Sequence, residues 1–570
     1  MILQALSGYY ERLKDDSEIN IPMPGFGSQK IHFALVLNRQ GKLLQIRDIR
    51  ETQKKKQAPK ILTVPEAVKR SVNIAANFMW DNTGYVLGAD NKENKERSLF
   101  LFEEFKKHHH DLGDNLNDEG MVAVLCFLDS WNPEEASDLP HWNDMAGMNL
   151  VFQLDGELEY INERPEIQKA WIKYYHEKSS EQISTCLVSG KQTAIARLHP
   201  KIKGVRGAQS SGAALVSFNK ASFLSYGKEQ NFNAPVSENI AFSYSTALNH
   251  LLRFKSRQKV QIGNAATVFW TERKSPIEGF MGMILEPGED SGDLKDVRDF
   301  LEAVRDGKKP SGIGDSDIKF YILGLSPNAS RLSVRFWHVS TVGEISNKIG
   351  MHFKDLSIIK SYDNDPEFPG MWQLLRETAV LRKSDNISPV LAGSFIRSVL
   401  TGAAYPQSLM TAVINRIRSD QTVNYLRAAL IKACLVRKNR IINKSTEVSM
   451  ALNKESTSIA YRLGRLFAAL EKAQKDAIPG ANTTIKDRFY GSASATPCIV
   501  FPQLLRLTQH HIQKAEYGRN TDKMIEDIMQ GIQEFPAHLS LDDQGLFAIG
   551  YYHQRKDFYT KTDKKEDNNE

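Results

Sequence analysis

The sequence contains few cysteines and no long apolar run. Its four cysteines, Cys126, Cys186, Cys434 and Cys498, lie far apart among 570 residues and form no C-x-x-C pair. This spacing argues against a zinc ribbon and a disulfide framework, and it favours a reducing compartment. No stretch approaches the roughly 18 apolar residues of a membrane span, and the first residues do not resemble a signal peptide. We therefore expect a cytoplasmic protein with no membrane partner.

The sequence also lacks the motifs that mark common active sites. Residues 189–191 are S-G-K, without the glycine and the serine or threonine that would complete a phosphate-binding loop. Dinucleotide-binding, H-E-x-x-H and G-x-S-x-G motifs are missing too, so we expect no enzyme, no cofactor and no metal centre. Because metal nucleases can assemble carboxylates from distant positions, the alternative is a metal-dependent nuclease acting on DNA, with Asp81, Asp129 and Asp155 as candidate ligands.

The overall composition is typical of a large globular protein. Hydrophobic residues make up 41% and charged residues 25% of the chain, and the net charge is +6. Because single cores stop growing at roughly 250–300 residues, this length predicts several domains. We predict an α+β fold, since short strands dominate the first part and helical periodicity begins at Met371. Its parts are a mixed α/β region with hairpins (1–370), an all-α helical bundle (371–555) and a disordered tail (556–570).

The spacing of apolar residues predicts the individual elements. In the first part it predicts helices at 1–14, 99–110, 165–178 and 237–254, with one more between 286 and 315. It also predicts a core element at 120–129, strands at 151–154, 213–218 and 265–270, and hairpins at 31–38 with 41–50 and 318–325 with 331–339. In the bundle it predicts helices at 371–383, 394–402, 408–420, 422–440, 459–475, 502–511, 522–534 and 541–554.

Residues 197–219 form a basic, glycine-rich stretch that ends in an apolar run, which predicts a buried strand. Glycines allow close approach of a bulky partner, while cations and small polar donors suit phosphates and base edges. The alternative is a solvated loop before a core strand. The residues that we expect to recognise a DNA motif here are Lys203, Arg206, Gln209 and Ser210.

Residues 65–81 are the first candidate for DNA motif recognition. Two cations precede two amides and an aromatic side chain, and amides can read groove edges while an aromatic can wedge between bases. The alternative is that the aromatic side chains belong to the core and the amides cap turns. The candidate residues are Lys69, Arg70, Asn73, Asn77 and Phe78.

The second predicted hairpin carries cations on a strand. Strict alternation would place Arg331, Ser333, Arg335 and Trp337 on one face. A face with two arginines and a tryptophan can bind a nucleic-acid backbone or its bases. The alternative is an exposed edge strand guarded by charge.

Residues 411–444 contain eight Lys or Arg residues and one acidic residue, Asp420. Such a basic stripe on a helical bundle predicts a surface that follows phosphates, here those of a displaced DNA strand. The alternative is a solvated bundle face. The candidate residues are Arg416, Arg418, Arg427, Lys432, Arg437, Lys438 and Arg440.

Several long segments resemble one family. They are MILQALSGYYERL, GFGSQKIHFALVL, WDNTGYVLG, ARLHPKIKGVRGAQSSGAALVSFN, NAPVSE, AYPQSLMTAVINRIR, VNYLRAALIK, AYRLGRLFAALEK and EFPAHLSLDDQGLFAIGYYHQR. From the first residue to about residue 555, the chain thereby resembles the CRISPR-associated large subunit of the type I-C Cascade.

The resemblance implies a non-catalytic subunit of a type I CRISPR RNA-guided surveillance complex. Such a subunit recognises the protospacer-adjacent motif, helps to open the duplex, stabilises the displaced strand and offers a docking surface to a helicase-nuclease. Because guide pairing carries the sequence identity, the protein needs only a short groove readout and backbone contacts. The implied partners are double-stranded target DNA, its displaced single strand, the guide RNA, the backbone, guide-end and small Cascade subunits, and the recruited helicase-nuclease.

Two further hypotheses stay open. The chain could be a scaffold that contacts only proteins, in which case any DNA binding would show no salt dependence. The resemblance also suggests that Met450 starts an internally translated small subunit covering residues 450–570. The alternative is that Met450 is an ordinary residue between bundle helices.

Overall fold

The structure is a computed structural model in which the chain forms two compact units. The first unit comprises Met1–Ile202 and Ala214–Asn249, and the second comprises Lys203–Ala213 and His250–Glu570. The division predicted at residue 370 therefore falls inside the second unit. The residues that the structure describes are 1–19, 21–53, 56–68, 70, 74–91, 94–177, 182–254, 256–262, 265–285, 294–308, 315–444, 448–516 and 518–559.

The first unit alternates short strands with helices. In chain order its elements are α1 (Ile2–Lys14), β1 (Phe26–Ile31), β2 (Phe33–Leu37), β3 (Leu43–Asp48), β4 (Glu51–Gln53), β5 (Lys56–Ala58), β6 (Lys60–Pro65), β7 (Trp80–Asn82), α2 (Thr83–Val86), α3 (Lys95–Gly113), α4 (Glu119–Ser130), α5 (Trp142–Met145), β8 (Asn149–Leu154), α6 (Pro165–Glu177), β9 (Ile183–Thr185), β10 (Gln192–Ala194) and all but the last two residues of α7 (Glu238–Leu251).

The main sheet of the first unit has the strand order β3-β2-β8-β7, in which only the β2–β8 pair is parallel. All five residues of β2 are buried, because the sheet separates two hydrophobic clusters. Phe33 and Leu35 pack into one cluster and Ala34 into the other. A strand covered on both faces is a continuous apolar run, as the sequence FALVL shows.

The second unit combines a sheet with most of the helices. Its elements are β11 (Lys259–Ile262), β12 (Ala265–Thr271), α8 (Ile277–Leu285), α9 (Leu294–Arg305), β13 (Lys319–Asn328), β14 (Arg331–Thr341), α10 (Val342–Leu356), α11 (Met371–Arg376), α12 (Pro389–Thr401), α13 (Gln407–Asp420), α14 (Tyr425–Ile441), α15 (Ile459–Ala477), α16 (Ile485–Ala493), α17 (Pro497–Lys514), α18 (Gly518–Met529) and α19 (Leu541–Phe558).

One hydrophobic cluster joins the sheet and the helices of this unit. The sheet is antiparallel with the order β11-β12-β13-β14, so β14 is an edge among the described strands. Two glycines let α15 and α19 pack closely. A Cβ at Gly464 would lie 2.0 Å from the Phe547 carbonyl oxygen, and one at Gly550 would lie 2.1 Å from the Tyr461 carbonyl oxygen.

The α+β class is confirmed, as are both hairpins and most helices, with shifted ends. The helix predicted at 371–383 ends at Arg376. The strand predicted at 213–218 is wrong, because Ala213 is buried but the next five residues are half-buried and not in a strand. Residues 178, 286–293, 309–314 and 560–570 lie outside the described residues. Within the described ranges, no helix has the length and apolar character needed to cross a membrane.

Candidate nucleic-acid interface

Loop 203–213 presents polar and cationic side chains from the second unit. Val205 is only 6% exposed and anchors the loop. The backbone then makes two turns, since the Ala208 N–H donates to the Val205 carbonyl (3.2 Å) and the Gly212 N–H to the Gln209 carbonyl (2.9 Å). The exposed residues include all four that were predicted here: Lys203, Arg206, Gln209 and Ser210.

The start of this loop is held by close backbone packing. Gly204 has a φ of +87°, and a Cβ there would lie 2.5 Å from the Leu252 carbonyl oxygen. The Lys259 ammonium donates to the carbonyl oxygens of Gly204 (3.1 Å) and Leu252 (3.0 Å). Burial lowers the pKa of Lys259. Sequence reasoning missed this role, because a lysine on a short strand gives no indication of the carbonyls it will meet.

Arg70 is the described cation of segment 65–81, and its charge is paired. Both Nη atoms donate to the Asp81 carboxylate, and Nε donates to the Ala75 carbonyl at 2.7 Å. The guanidinium carbon also lies 3.9 Å from the Tyr85 ring centroid. Lys69 and Asn73 lie outside the described residues.

Asn77 and Phe78 are interior residues, which corrects the expectation that this segment presents an amide and a wedge to DNA. Asn77 is 3% exposed, and its Oδ1 accepts the Val68 N–H at 2.9 Å. Phe78 is fully buried and stacks on Trp171 and His109, with ring centroids 5.5 and 5.2 Å away. The structure agrees with the alternative that these side chains belong to the core.

Three of the seven cations predicted to line the bundle surface are buried. Arg427 and Arg437 are each 1% exposed, and Lys432 is 3% exposed. Burial lowers the pKa of Lys432 to about 8, and its Nζ donates to the Asp355 carbonyl at 3.2 Å. The expected outward-facing stripe is therefore wrong for these three, since they cannot reach an external phosphate in this conformation.

Both buried arginines pair with acidic residues that are distant in sequence, and Arg427 also pairs with the nearby Asp420 at 2.5 Å. Arg427 Nε donates to Glu377 at 2.8 Å, and Arg437 Nε donates to Asp355 at 2.9 Å. The Arg437 guanidinium also lies 4.0 Å from the Tyr405 ring centroid. A charge count restricted to residues 411–444 includes neither Glu377 nor Asp355.

The other four cations of this set also have partners. Arg416 pairs with Asp420 at 3.2 Å, and Arg418 donates to the Gln544 side-chain oxygen at 2.9 Å. Lys438 and Arg440 are exposed residues, yet Lys438 pairs with Asp542 at 2.5 Å and Arg440 with Asp355 at 2.7 Å. Much of the positive charge that the sequence indicates is thus balanced within the second unit.

The β13–β14 hairpin contains a bulge at Arg335. The pairing passes from Leu325 with Val334 to Gly324 with Phe336, so Arg335 has no opposing residue in β13. One extra residue reverses the side-chain alternation beyond that point. The strict alternation that was predicted for β14 therefore fails there.

The bulge separates the arginines from the tryptophan. Trp337 stacks on Tyr321 with ring centroids 5.7 Å apart, while Arg335 Nε donates to Ser326 Oγ. Tyr321 and Ser326 are five positions apart on β13 and so point to opposite faces. The shared face predicted for these residues is wrong: Arg331 and Arg335 lie on one face, and Trp337 lies on the other.

The carboxylates of the nuclease alternative do not form a metal site in the described part of the chain. No group of three or more His, Cys, Asp or Glu side chains there could hold a metal ion. Asp81 pairs with Arg70, and Asp129 lies 2.9 Å from Lys106 Nζ and 3.1 Å from His110 Nε2. The hydrogen bond from Lys106 is the main reason that the pKa of Asp129 is lowered.

Comparison with known proteins identifies the family of this chain. The model of a family described as CRISPR-associated protein (Cas_Csd1) matches residues 6–559. No curated protein matches the chain. Because the family match covers nearly the whole sequence, the protein is CRISPR-associated and belongs to the Cas_Csd1 family.

Proposed function

We propose that this protein is the non-catalytic large subunit of a type I-C Cascade complex. It recognises the protospacer-adjacent motif in duplex DNA, helps to open the duplex, stabilises the displaced strand and provides a docking surface for the helicase-nuclease. The observation that carries the proposal is the Cas_Csd1 match over residues 6–559. The segments that resemble the type I-C large subunit support the more specific assignment.

Loop 203–213 is our first choice for motif recognition. Its cations and amide are exposed, whereas the described candidates of segment 65–81 are buried or ion-paired. A guanidinium such as that of Arg206 suits guanine or a phosphate, and an amide such as that of Gln209 suits adenine. The fixed start of the loop lowers the entropy that must be lost on binding.

The experiment measures binding of the assembled complex to duplexes that differ only in the flanking motif. We expect Arg206→Ala and Gln209→Ala to reduce discrimination by about tenfold, the value of one good base contact. Arg519→Ala, at an exposed arginine on α18, is the matched control and should discriminate normally. Unchanged discrimination in both loop variants would reject the loop, and a wild-type complex without motif preference would reject the function.

The absence of catalysis is tested separately. Purified protein incubated with labelled duplex and Mg²⁺ or Mn²⁺ should leave the duplex intact. Cleavage that is abolished by Asp129→Asn or Asp155→Asn would support the nuclease alternative instead.

The internal start at Met450 stays a prediction. Met450 is 57% exposed, and its carbonyl accepts the Ile359 N–H at 2.8 Å. We expect expression of the gene to yield a second product that begins there. A product of this size that survives replacement of Met450 would reject this start site.

A further inference from the structure

A cavity of about 280 Å³ lies in the second unit beside the edge strand β14 and the last turn of α12. Arg335 and His338 line it from β14, and Arg397 and Thr401 line it from α12. Both arginines are exposed residues. Among the described residues, no carboxylate lines this cavity.

His338 is the unusual member of this lining. Its Nε2 is buried and has no hydrogen-bond partner among the described residues. Buried polar atoms normally have partners, and His338 is a residue of the cavity wall, so a ligand atom could supply the missing partner. Burial, Lys348 and Arg397 lower the pKa of His338, while Glu344 acts in the opposite direction. The neutral ring can still donate a hydrogen bond from Nε2.

The end of α12 would ordinarily disfavour an anion, because helix C-termini expose carbonyl oxygens. Here two of the carbonyl oxygens near this end accept further hydrogen bonds. Thr401 Oγ1 donates to the Arg397 carbonyl at 2.7 Å, and the Ser398 carbonyl accepts the Gly402 N–H and Arg437 Nη1, both at 3.0 Å. Arg335 and Arg397, which both line the cavity, add positive charge that opposes the effect of the helix end.

We propose that this cavity binds a phosphate group, with Arg335 and Arg397 as cationic contacts and His338 as a neutral donor. Arginine suits phosphate because its planar fork can donate two parallel hydrogen bonds. The volume of about 280 Å³ is ample for a phosphate group.

The phosphate has two possible sources, a free anion or the backbone of a nucleic-acid strand. Binding of phosphate as such does not depend on the proposed function, whereas its assignment to a displaced strand does. Trp337, which also lines the cavity, packs against Trp270 and Tyr321 with ring centroids 5.6 and 5.7 Å away. Base stacking on Trp337 is therefore not part of the proposal.

The test uses the full chain with inorganic phosphate and, separately, with a single-stranded oligonucleotide. Calorimetric titration at constant ionic strength should show phosphate binding that Arg397→Gln weakens by about tenfold. Arg397→Lys keeps the charge and should retain part of the affinity. Arg519→Gln removes one exposed positive charge elsewhere in the same unit and should bind as the wild type does.

A ring NMR signal assigned to His338 supplies an independent readout. Phosphate should raise the pKa of His338 in the wild type and in Arg519→Gln but not in Arg397→Gln. Competition between the oligonucleotide and phosphate would identify the backbone as the source, and phosphate binding without competition would identify a free anion. Absence of phosphate binding to the wild type, or equal binding by Arg397→Gln, would overturn the proposal even if motif recognition were established.

Discussion

Arg437 in α14 and Arg206 in loop 203–213 bear the same side chain in opposite surroundings. Arg437 is 1% exposed, donates to Asp355 and Ser398, and lies over Tyr405. Arg206 is exposed on a loop whose start is fixed. The first arginine links helices within the second unit, and the second is available to a partner. The burial of a cation and the carboxylates close to it in space therefore determine whether a basic segment is available to a phosphate. The number of cations in the segment matters less.

Replacing the buried carboxylate should have the largest effect. Asp355→Ala removes the acceptor shared by Arg437 and Arg440, and it leaves a buried guanidinium without its counter-ion. Breaking such a pair costs about 3–5 kcal/mol, which should appear as a lower free energy of unfolding in urea. Asp363→Ala, at an exposed position, is the control and should cost less than about 0.5 kcal/mol. Equal losses in the two variants would show that the ion pairs do not stabilise the unit.

The buried histidines predict the next largest effect, a loss of stability in acid. Burial lowers the pKa of His352 from 6.5 to about 3, and Nδ1 lies 2.6 Å from the Tyr405 hydroxyl. As the pH falls below 6.5 the unfolded chain gains a proton that the folded state does not. Stability is therefore present above pH 6.5 and is lost toward pH 3, by about 1.4 kcal/mol per pH unit for each such histidine.

Urea unfolding at pH 7 and pH 5 measures this effect. His352→Gln should reduce the difference between the two free energies by about 2 kcal/mol, because one titrating group is removed. His510→Gln, at an exposed position, should keep the difference found in the wild type. The interpretation fails if both variants show the wild-type difference.

Asn77→Ala tests whether segment 65–81 is structural. The substitution removes a buried amide and the acceptor of the partly buried Val68 N–H, so the free energy of unfolding should fall by about 0.5–1.5 kcal/mol. Motif discrimination by the assembled complex should stay unchanged. Asn115→Ala, at an exposed position, should change neither quantity. A loss of discrimination without a loss of stability would instead support the prediction that this segment contacts DNA.

Arg206→Gln should have the smallest effect on stability, below about 0.5 kcal/mol, because the side chain is exposed. It should instead weaken duplex binding and reduce the slope of log affinity against log salt concentration by about 1. Filter binding over a range of salt concentrations measures this slope. An unchanged slope, together with a normal slope for Arg519→Gln, would mean that Arg206 contacts no phosphate.

Local patterns were enough to predict much of the fold. The helical periodicity of α13 and α15 comes from residues three and four positions apart, so it is visible without knowledge of the partners. The exposure of Arg206 was likewise predictable from the glycines and polar residues around it.

Features that depend on distant residues could not be predicted. The burial of Arg427 requires Glu377, which lies 50 positions away, and that of Arg437 requires Asp355, which lies 82 positions away. The bulge at Arg335 is defined only by the pairing with β13. Arg397 could not be predicted as a binding residue, because nothing in the sequence indicates that α12 lies beside β14.

The chain passes between the two units after residues 202, 213 and 249. A fragment that begins at residue 250 would include every helix of the second unit but not Lys203–Ala213, and its Lys259 ammonium would lose the Gly204 acceptor. During synthesis the loop leaves the ribosome before the sheet and helices of its own unit. It can therefore reach its folded position only after they have been synthesised. No single cleavage of the backbone yields two complete halves, and attempts to dissect this protein should keep residues 203–213 with the C-terminal part.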